Sequence, residues 1–220
     1  MSGQGPARPA PAHPPVQEHV RPPTRIQQRK TQIILDAALG VFSMFGFRGA
    51  TLDQIAAAAG LSKANLLYYF PSKEAIHITL LSGLMETWLA PLHALDPDGE
   101  PRDEILRYVR RKLQMSRDMP RESRLFANEV LQGAPRFEGH LATDLRALVD
   151  EKADVISGWI AQGKIAPLDP RHLIFSIWAL TQHYADFDAQ VRMVLNREDD
   201  RHFDEAEAFL DTLYTKLLQP

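Results

Sequence analysis

Apolar residues recur along this chain with the spacing of helices, not the alternation of strands. From Ile26, the positions Ile33, Ile34, Ala37, Ala38, Val41, Phe42 and Phe45 make a stripe that predicts an amphipathic helix ending at Gly46. Leu52, Ile55, Ala56 and Ala59 then share one face of a second helix, opened by Thr51 with Gln54 three residues on. That pair is a capping box, in which each side chain satisfies the other's free backbone N–H. Gly60 permits a turn at positive φ, and Ser62 caps a third helix running from Lys63 to about Phe70, where Pro71 stops it. Ser72 caps a fourth, in which Ile76, Leu80, Leu84 and Trp88 predict a long helix that stops before Pro91. Further helices are expected at about 103–117, 121–132, 138–163, 169–188 and 203–218. They are separated by Pro97, Pro120, Gly133 to Pro135, Gly163 to Pro167 and Asn196 to Asp200. No alternating run is long enough for a sheet, and there is neither an internal repeat nor a sustained heptad. The expected fold class is all-α.

The third helix is only about two turns long, and its two sides differ. Leu66, Tyr69 and Phe70 fall inward, whereas Lys63, Ala64, Asn65, Leu67 and Tyr68 fall outward. Two short capped helices around one glycine have the grammar of a helix-turn-helix. The same grammar also fits an ordinary αα-corner with Lys63 and Asn65 solvated. In a DNA reader, Lys63 and Asn65 reach a phosphate or a base edge, Ala64 and Leu67 meet a thymine methyl, and Tyr68 offers its hydroxyl to a phosphate.

Charge favours the reader. The net charge is −3, but residues 1–75 hold eight Lys and Arg against four Asp and Glu, so the positive excess lies at the end that carries the capped pair. At 220 residues and 45% apolar content, the chain has enough material for one sizeable core and a smaller second one. Seven prolines in the first 23 residues predict a disordered arm, which delivers Arg21, Arg25, Arg29 and Lys30 to the first helix. No apolar run approaches 18 residues and no signal-peptide pattern opens the chain, so a cytoplasmic protein with no membrane partner is expected. The absence of cysteine removes disulfides, thiolate catalysis and zinc–thiolate sites. There is no Gly-x-Ser-x-Gly elbow, phosphate-cradling loop or His-Glu-x-x-His helix. His77, His93, His140, His172, His183 and His202 are scattered without ligand spacing. No catalytic residue, metal site or cofactor is expected.

The last two helices are apolar over most of their circumference, with Ile174, Ile177, Trp178, Leu180 and Phe187 in one and Phe203, Phe209, Leu210, Leu213 and Leu217 in the other. Such breadth implies burial on more than one side, and a second subunit is the natural cover. Trp178 and Gln182 stand at i and i+4 on one helical face. A glutamine amide donates and accepts side by side and an indole is flat, which complements the imide edge of uracil or thymine. A core glutamine beside a packing tryptophan fits the same spacing.

The run Gly49, Thr51, Ile55-Ala56, Ala59-Gly60, Ser62-Lys63, Leu66 and Tyr69 to Glu74 resembles the DNA-binding region of TetR-type repressors. Leu67 departs from that pattern, since many members carry an aromatic there, and this moves the phosphate role to Tyr68. The segment Asn65 to Ala75 is similar to pyrimidine-sensing members of the family. So are Trp88 to Leu92, Ser123 to Phe126, Gly133 to Pro135, Leu148 to Lys152 and Asp169 to Phe187. The likeness spans roughly residues 28 to 195. It implies a repressor in which the proline-rich, disordered arm (1–25) precedes a three-helix helix-turn-helix domain (26–74) and a C-terminal helical ligand-binding and dimerisation domain (75–220). It further implies DNA contacts by Thr51, Lys63, Ala64, Asn65, Leu67, Tyr68 and Lys73, and a site for uracil or thymine formed by Trp88, Trp178 and Gln182. The partners it implies are a palindromic double-stranded DNA operator, the pyrimidine and a second copy of the chain. Two other readings stay open: a repressor of this type that senses another flat or apolar molecule, and a helical protein-interaction module.

Overall fold

The computed structural model describes residues 24–136 and 140–220. Apart from Thr24 and Arg25, the expected proline-rich arm lies outside the described residues. Helix α1 (Arg25–Gly49) starts at a capping box of Thr24 and Gln27. It is broken at Gly46, whose φ of 64° and ψ of 176° only glycine adopts at no steric cost. Helices α2 (Leu52–Ala58) and α3 (Lys63–Tyr69) follow, then the long α4 (Lys73–His93). The rest comprises α5 (Pro101–Asp118), α6 (Pro120–Leu131), α7 (His140–Ala161), α8 (Pro170–Asp186), α9 (Asp188–Leu195) and α10 (Arg201–Leu217). The described residues contain no strand, so the all-α expectation holds.

The caps read from the sequence form as expected. Thr51 Oγ1 accepts the Gln54 N–H at 3.2 Å, Ser62 Oγ that of Asn65 at 3.2 Å, and Ser72 Oγ that of Ala75 at 3.1 Å. Gly60 turns at φ +66°. Three expectations need correction. Ile33 and Phe45 do not join the inward stripe: they are 38% and 50% exposed, and the residue that packs against the core beyond the break at Gly46 is Phe47. Pro91 does not stop α4. Only two helical residues follow it, so the bond that its missing N–H forfeits lies in the last turn, and the fully buried Leu92 holds that turn in place. The helix expected over 169–188 ends at Asp186, and Phe187 hands over to α9, an element with no strong break before it.

Two apolar clusters organise the molecule. One gathers Ile34, Phe42, Ile55, Leu66 and Phe70 of α1–α3 and continues along α4 through Leu81, Leu84 and Trp88. The other joins Leu92 of α4 with α5, α7, α8 and α10 around Ile156, Trp159, Ile177 and Tyr214. Helix α4 belongs to both. Its 18-residue window of mean hydropathy 1.2 would suffice for a membrane span by length and composition, but its apolar side chains are shared between these cores. Trp88 closes the first cluster, one helical turn from where the second begins at Leu92.

Candidate functional site

The outer face of α3 is open. Lys63, Ala64, Asn65, Leu67 and Tyr68 are all exposed, while Leu66 is fully buried and Phe70 nearly so. Tyr68 stands 73% exposed with its ring edge-on to Tyr69 at 5.2 Å, which stiffens it without covering it. Lys63 Nζ lies 2.9 Å from Asp53 on α2, an exposed pair of little net worth that a phosphate readily displaces. Thr51 is exposed, with its hydroxyl engaged in the cap of α2.

Lys73 is differently employed. Its ammonium donates to the carbonyls of Phe47 at 2.6 Å and Ala50 at 2.7 Å and lies 4.3 Å from the centroid of the Phe47 ring. It ties the start of α4 to the end of α1. Arg136, from the α6–α7 connection, places its guanidinium 3.5 Å from the same ring and donates to Glu129 at 3.0 Å. His77 packs edge-on against Phe42 and Phe47, and its buried Nδ1 has no hydrogen-bond partner.

Burial drives the His77 pKa down to about 4, against the upward pull of Glu129 4.0 Å away and with Arg136 and Lys73 adding to the depression. The histidine is therefore neutral when folded at neutral pH. Between about pH 6.5 and 4 the unfolded chain takes up a proton that the folded one does not, so stability is full above pH 6.5 and falls as pH drops through that window. The expected loss is on the order of 3 kcal/mol. Urea midpoints measured from pH 7 to 4.5 should decline steeply in the wild type and more shallowly in His77→Phe; parallel curves would show that another group sets the acid limit.

Deeper in the molecule, Trp88 of α4 and Trp178 and Gln182 of α8 line one cavity of about 30 Å³. Met85 and Leu89 of α4, Phe126 of α6 and Leu145 of α7 complete its apolar wall. The structure thus brings together all three residues expected to form the site. The Trp178 indole N–H is spent on Tyr108 Oη at 2.6 Å, and burial pushes the pKa of that hydroxyl up. The Trp88 indole N–H is buried and unpartnered. Such a volume holds a water or two. A flat ring is larger than this, so it enters only if the walls part.

Among the wall residues that the sequence did not lead one to expect, Lys112 of α5 is the charged one, 1% exposed, with Nζ 4.8 Å from the Trp88 ring centroid. Burial pulls its pKa down to about 7, opposed by Asp186. A signal was present, since Ile105, Tyr108, Lys112 and Met115 recur at helical spacing and place the lysine inside an apolar stripe. Beside Arg110 and Arg111 it reads instead as one of a charged run.

Comparison with known proteins places the family and the fold. Residues 34–78 match the profile of bacterial regulatory proteins of the tetR family, and residues 81–220 match that of the YcdC-like protein C-terminal region. The HTH-type transcriptional regulator RutR of Escherichia coli (strain K12) is 55% identical over 171 residues, which is 78% of this chain and 81% of the relative. The biofilm operon icaADBC negative transcriptional regulator IcaR of Staphylococcus aureus (strain Newman) is 46% identical over 44 residues, 20% of this chain and 24% of that protein. Among solved structures, AibR in complex with isovaleryl coenzyme A and operator DNA superposes with a TM-score of 0.64 at 17% identity, over 87% of this chain and 99% of the other. The transcriptional regulator SCO4942 from Streptomyces coelicolor gives 0.70 at 23% identity, over the same shares of the two chains. At these identities the two structures establish the fold.

Proposed function

The chain belongs to the TetR family of bacterial regulatory proteins, DNA-binding transcriptional regulators of repressor type, and from that premise we propose that it leaves its operator when uracil or thymine binds between α4 and α8. The observation that carries the reading is the convergence of Trp88, Trp178 and Gln182 on one cavity. Gln182 offers the paired donor and acceptor that an imide requires, and the two indoles offer flat faces. The 55% identity to RutR supports the assignment of pyrimidine utilisation as the controlled process.

In this reading the chain acts as a cytoplasmic homodimer. Two stripes support it: Phe175, Ala179 and His183 on α8 and Phe187 at its C-cap are exposed at four-residue spacing, and Phe209 and Leu217 of α10 are also exposed. A second copy laid across them makes a four-helix bundle. Its two-fold axis sets the two α3 helices about 34–36 Å apart for successive major grooves of a palindromic operator. Residues 26–74 form the reading head and 75–220 the effector and dimerisation part. Lys63 and Tyr68 take phosphates, Asn65 takes a base edge, Ala64 and Leu67 take thymine methyls, and Thr51 meets the backbone beside the cap of α2. Lys73, whose ammonium is already bound to two carbonyls, serves the head by holding α4 to α1.

Release follows from linkage. Helix α4 carries Trp88 at one end and is capped at the other by Ser72, directly after the reading pair. A ring that parts Trp88 from Trp178 must therefore tilt the lever on which each head rides. A pyrimidine that favours the tilted form weakens DNA binding by the factor by which DNA weakens pyrimidine binding, typically about 1 to 3 kcal/mol. The test is fluorescence anisotropy on DNA from upstream of the protein's own gene. Uracil or thymine is expected to release bound DNA, with a midpoint that rises with DNA concentration. DNA that stays bound at saturating pyrimidine would leave a TetR-type repressor of another effector.

A further inference from the structure

The pyrimidine reading leaves part of the cavity's chemistry unused, and this inference rests on that reading. The Trp88 N–H, the Lys112 ammonium and the Gln182 amide N–H₂ are the donors in the wall, the Trp178 N–H being already spent on Tyr108, whereas the Gln182 carbonyl is the one strong side-chain acceptor among the wall residues described. A fitting ligand therefore presents more acceptors than donors on its recognised edge. A cyclic imide has this composition, with one N–H between two carbonyls. Gln182 satisfies the N–H and one neighbouring oxygen, which leaves the second oxygen to another donor.

We propose that Lys112 is the specificity-determining partner of the effector's second carbonyl oxygen, so that the recognised class is the cyclic 2,4-dione and not merely a flat ring. Lysine is almost never fully buried without a partner, yet this one is 1% exposed. The charge that bears on it is the carboxylate of Asp186 on α8, which already accepts a hydrogen bond from Ser123 Oγ at 2.5 Å. Burial raises the pKa of that carboxyl. From α4, the Trp88 ring lies against its ammonium, 4.8 Å from centroid to Nζ. A ligand oxygen held against Trp88 supplies what the protein side leaves incomplete.

The test is calorimetry on the full-length protein with uracil, 2-thiouracil and 4-thiouracil, because sulfur accepts hydrogen bonds poorly. In the wild type, sulfur at the Lys112-facing position is expected to weaken binding about tenfold or more. Lys112→Met should weaken uracil by a similar factor and should no longer distinguish uracil from that thio analogue. Lys112→Gln, which restores a donor, should recover part of the loss and serves in place of Lys112→Met if the latter fails to fold by circular dichroism. Uracil binding unchanged in Lys112→Met, or equal thio penalties in both proteins, overturns the role of Lys112 and leaves the pyrimidine reading standing. A wild type that binds DNA but none of the three ligands overturns both.

Discussion

Leu66→Ala is expected to abolish operator binding while leaving the effector cavity intact. Leu66 is fully buried in a small cluster with Ile34, Phe42, Ile55 and Phe70, and α3 has only seven residues with which to hold its place. Removing a buried leucine side chain costs about 2 to 5 kcal/mol, because the lost transfer energy is compounded by the void left behind. A two-turn helix has little independent stability to offset that. Its neighbour supplies the control: Leu67 is 40% exposed, and Leu67→Ala should shift stability by no more than about 0.5 kcal/mol. Operator anisotropy, thermal unfolding and pyrimidine calorimetry on both variants check the argument. The expected pattern is loss of DNA binding together with lowered stability in Leu66→Ala, a milder loss of operator affinity at unchanged stability in Leu67→Ala, whose side chain faces the DNA, and pyrimidine binding retained in both because the cavity also rests on α5, α7 and α8. Wild-type operator affinity in Leu66→Ala would mean that α3 is held by contacts outside this cluster.

The reading head was legible because its signals are local. Thr51, Ser62 and Ser72 each cap a backbone N–H three residues away, and Gly60 turns where it stands, so a short window of sequence contains the whole interaction. The stripe of α1 was legible until Gly46. Beyond a break in the helical phase, periodicity no longer tells which residue points inward, and the packing of Phe47 was missed. Pro91 misled for the opposite reason. Its local penalty is real, but tertiary burial of Leu92 outweighs one forfeited bond in a last turn. The boundary at Phe187 had no glycine or proline to mark it.

The effector cavity was legible in part. Trp178 and Gln182 are one turn apart on a single helix, so their shared face follows from spacing, but Trp88 lies ninety residues away and no periodicity relates it to them. Its place came from family resemblance. Lys112 escaped because its sequence neighbours are charged, and only the packing of α5 against α4 and α8 reveals which of three consecutive basic residues is the buried one. The clasp on Phe47 escaped for a similar reason: Lys73 and Arg136 converge on one ring from segments sixty residues apart.

Gln182→Leu is expected to keep the fold and operator binding yet fail to release DNA when uracil is added. Leucine is close to glutamine in size and adds no unsatisfied donor or acceptor of its own to the cavity, so the unliganded protein has little to lose. The uracil imide, however, then enters a site that answers neither its N–H nor the adjacent oxygen. Each unmet buried group costs about 1 to 3 kcal/mol, which lowers affinity about five- to 150-fold. Trp88→Ala should behave differently. It forfeits an aromatic contact worth about 0.5 to 1.5 kcal/mol beyond the area it buries, and it also removes the side chain that closes the reading-head cluster, so basal operator affinity should fall along with the response. Calorimetry with uracil and thymine, run beside operator anisotropy on all three proteins, separates the cases. If Gln182→Leu binds pyrimidines as tightly as the wild type, the imide is read elsewhere. If it loses operator binding as well, Gln182 is a packing residue and the cavity is not the sensor.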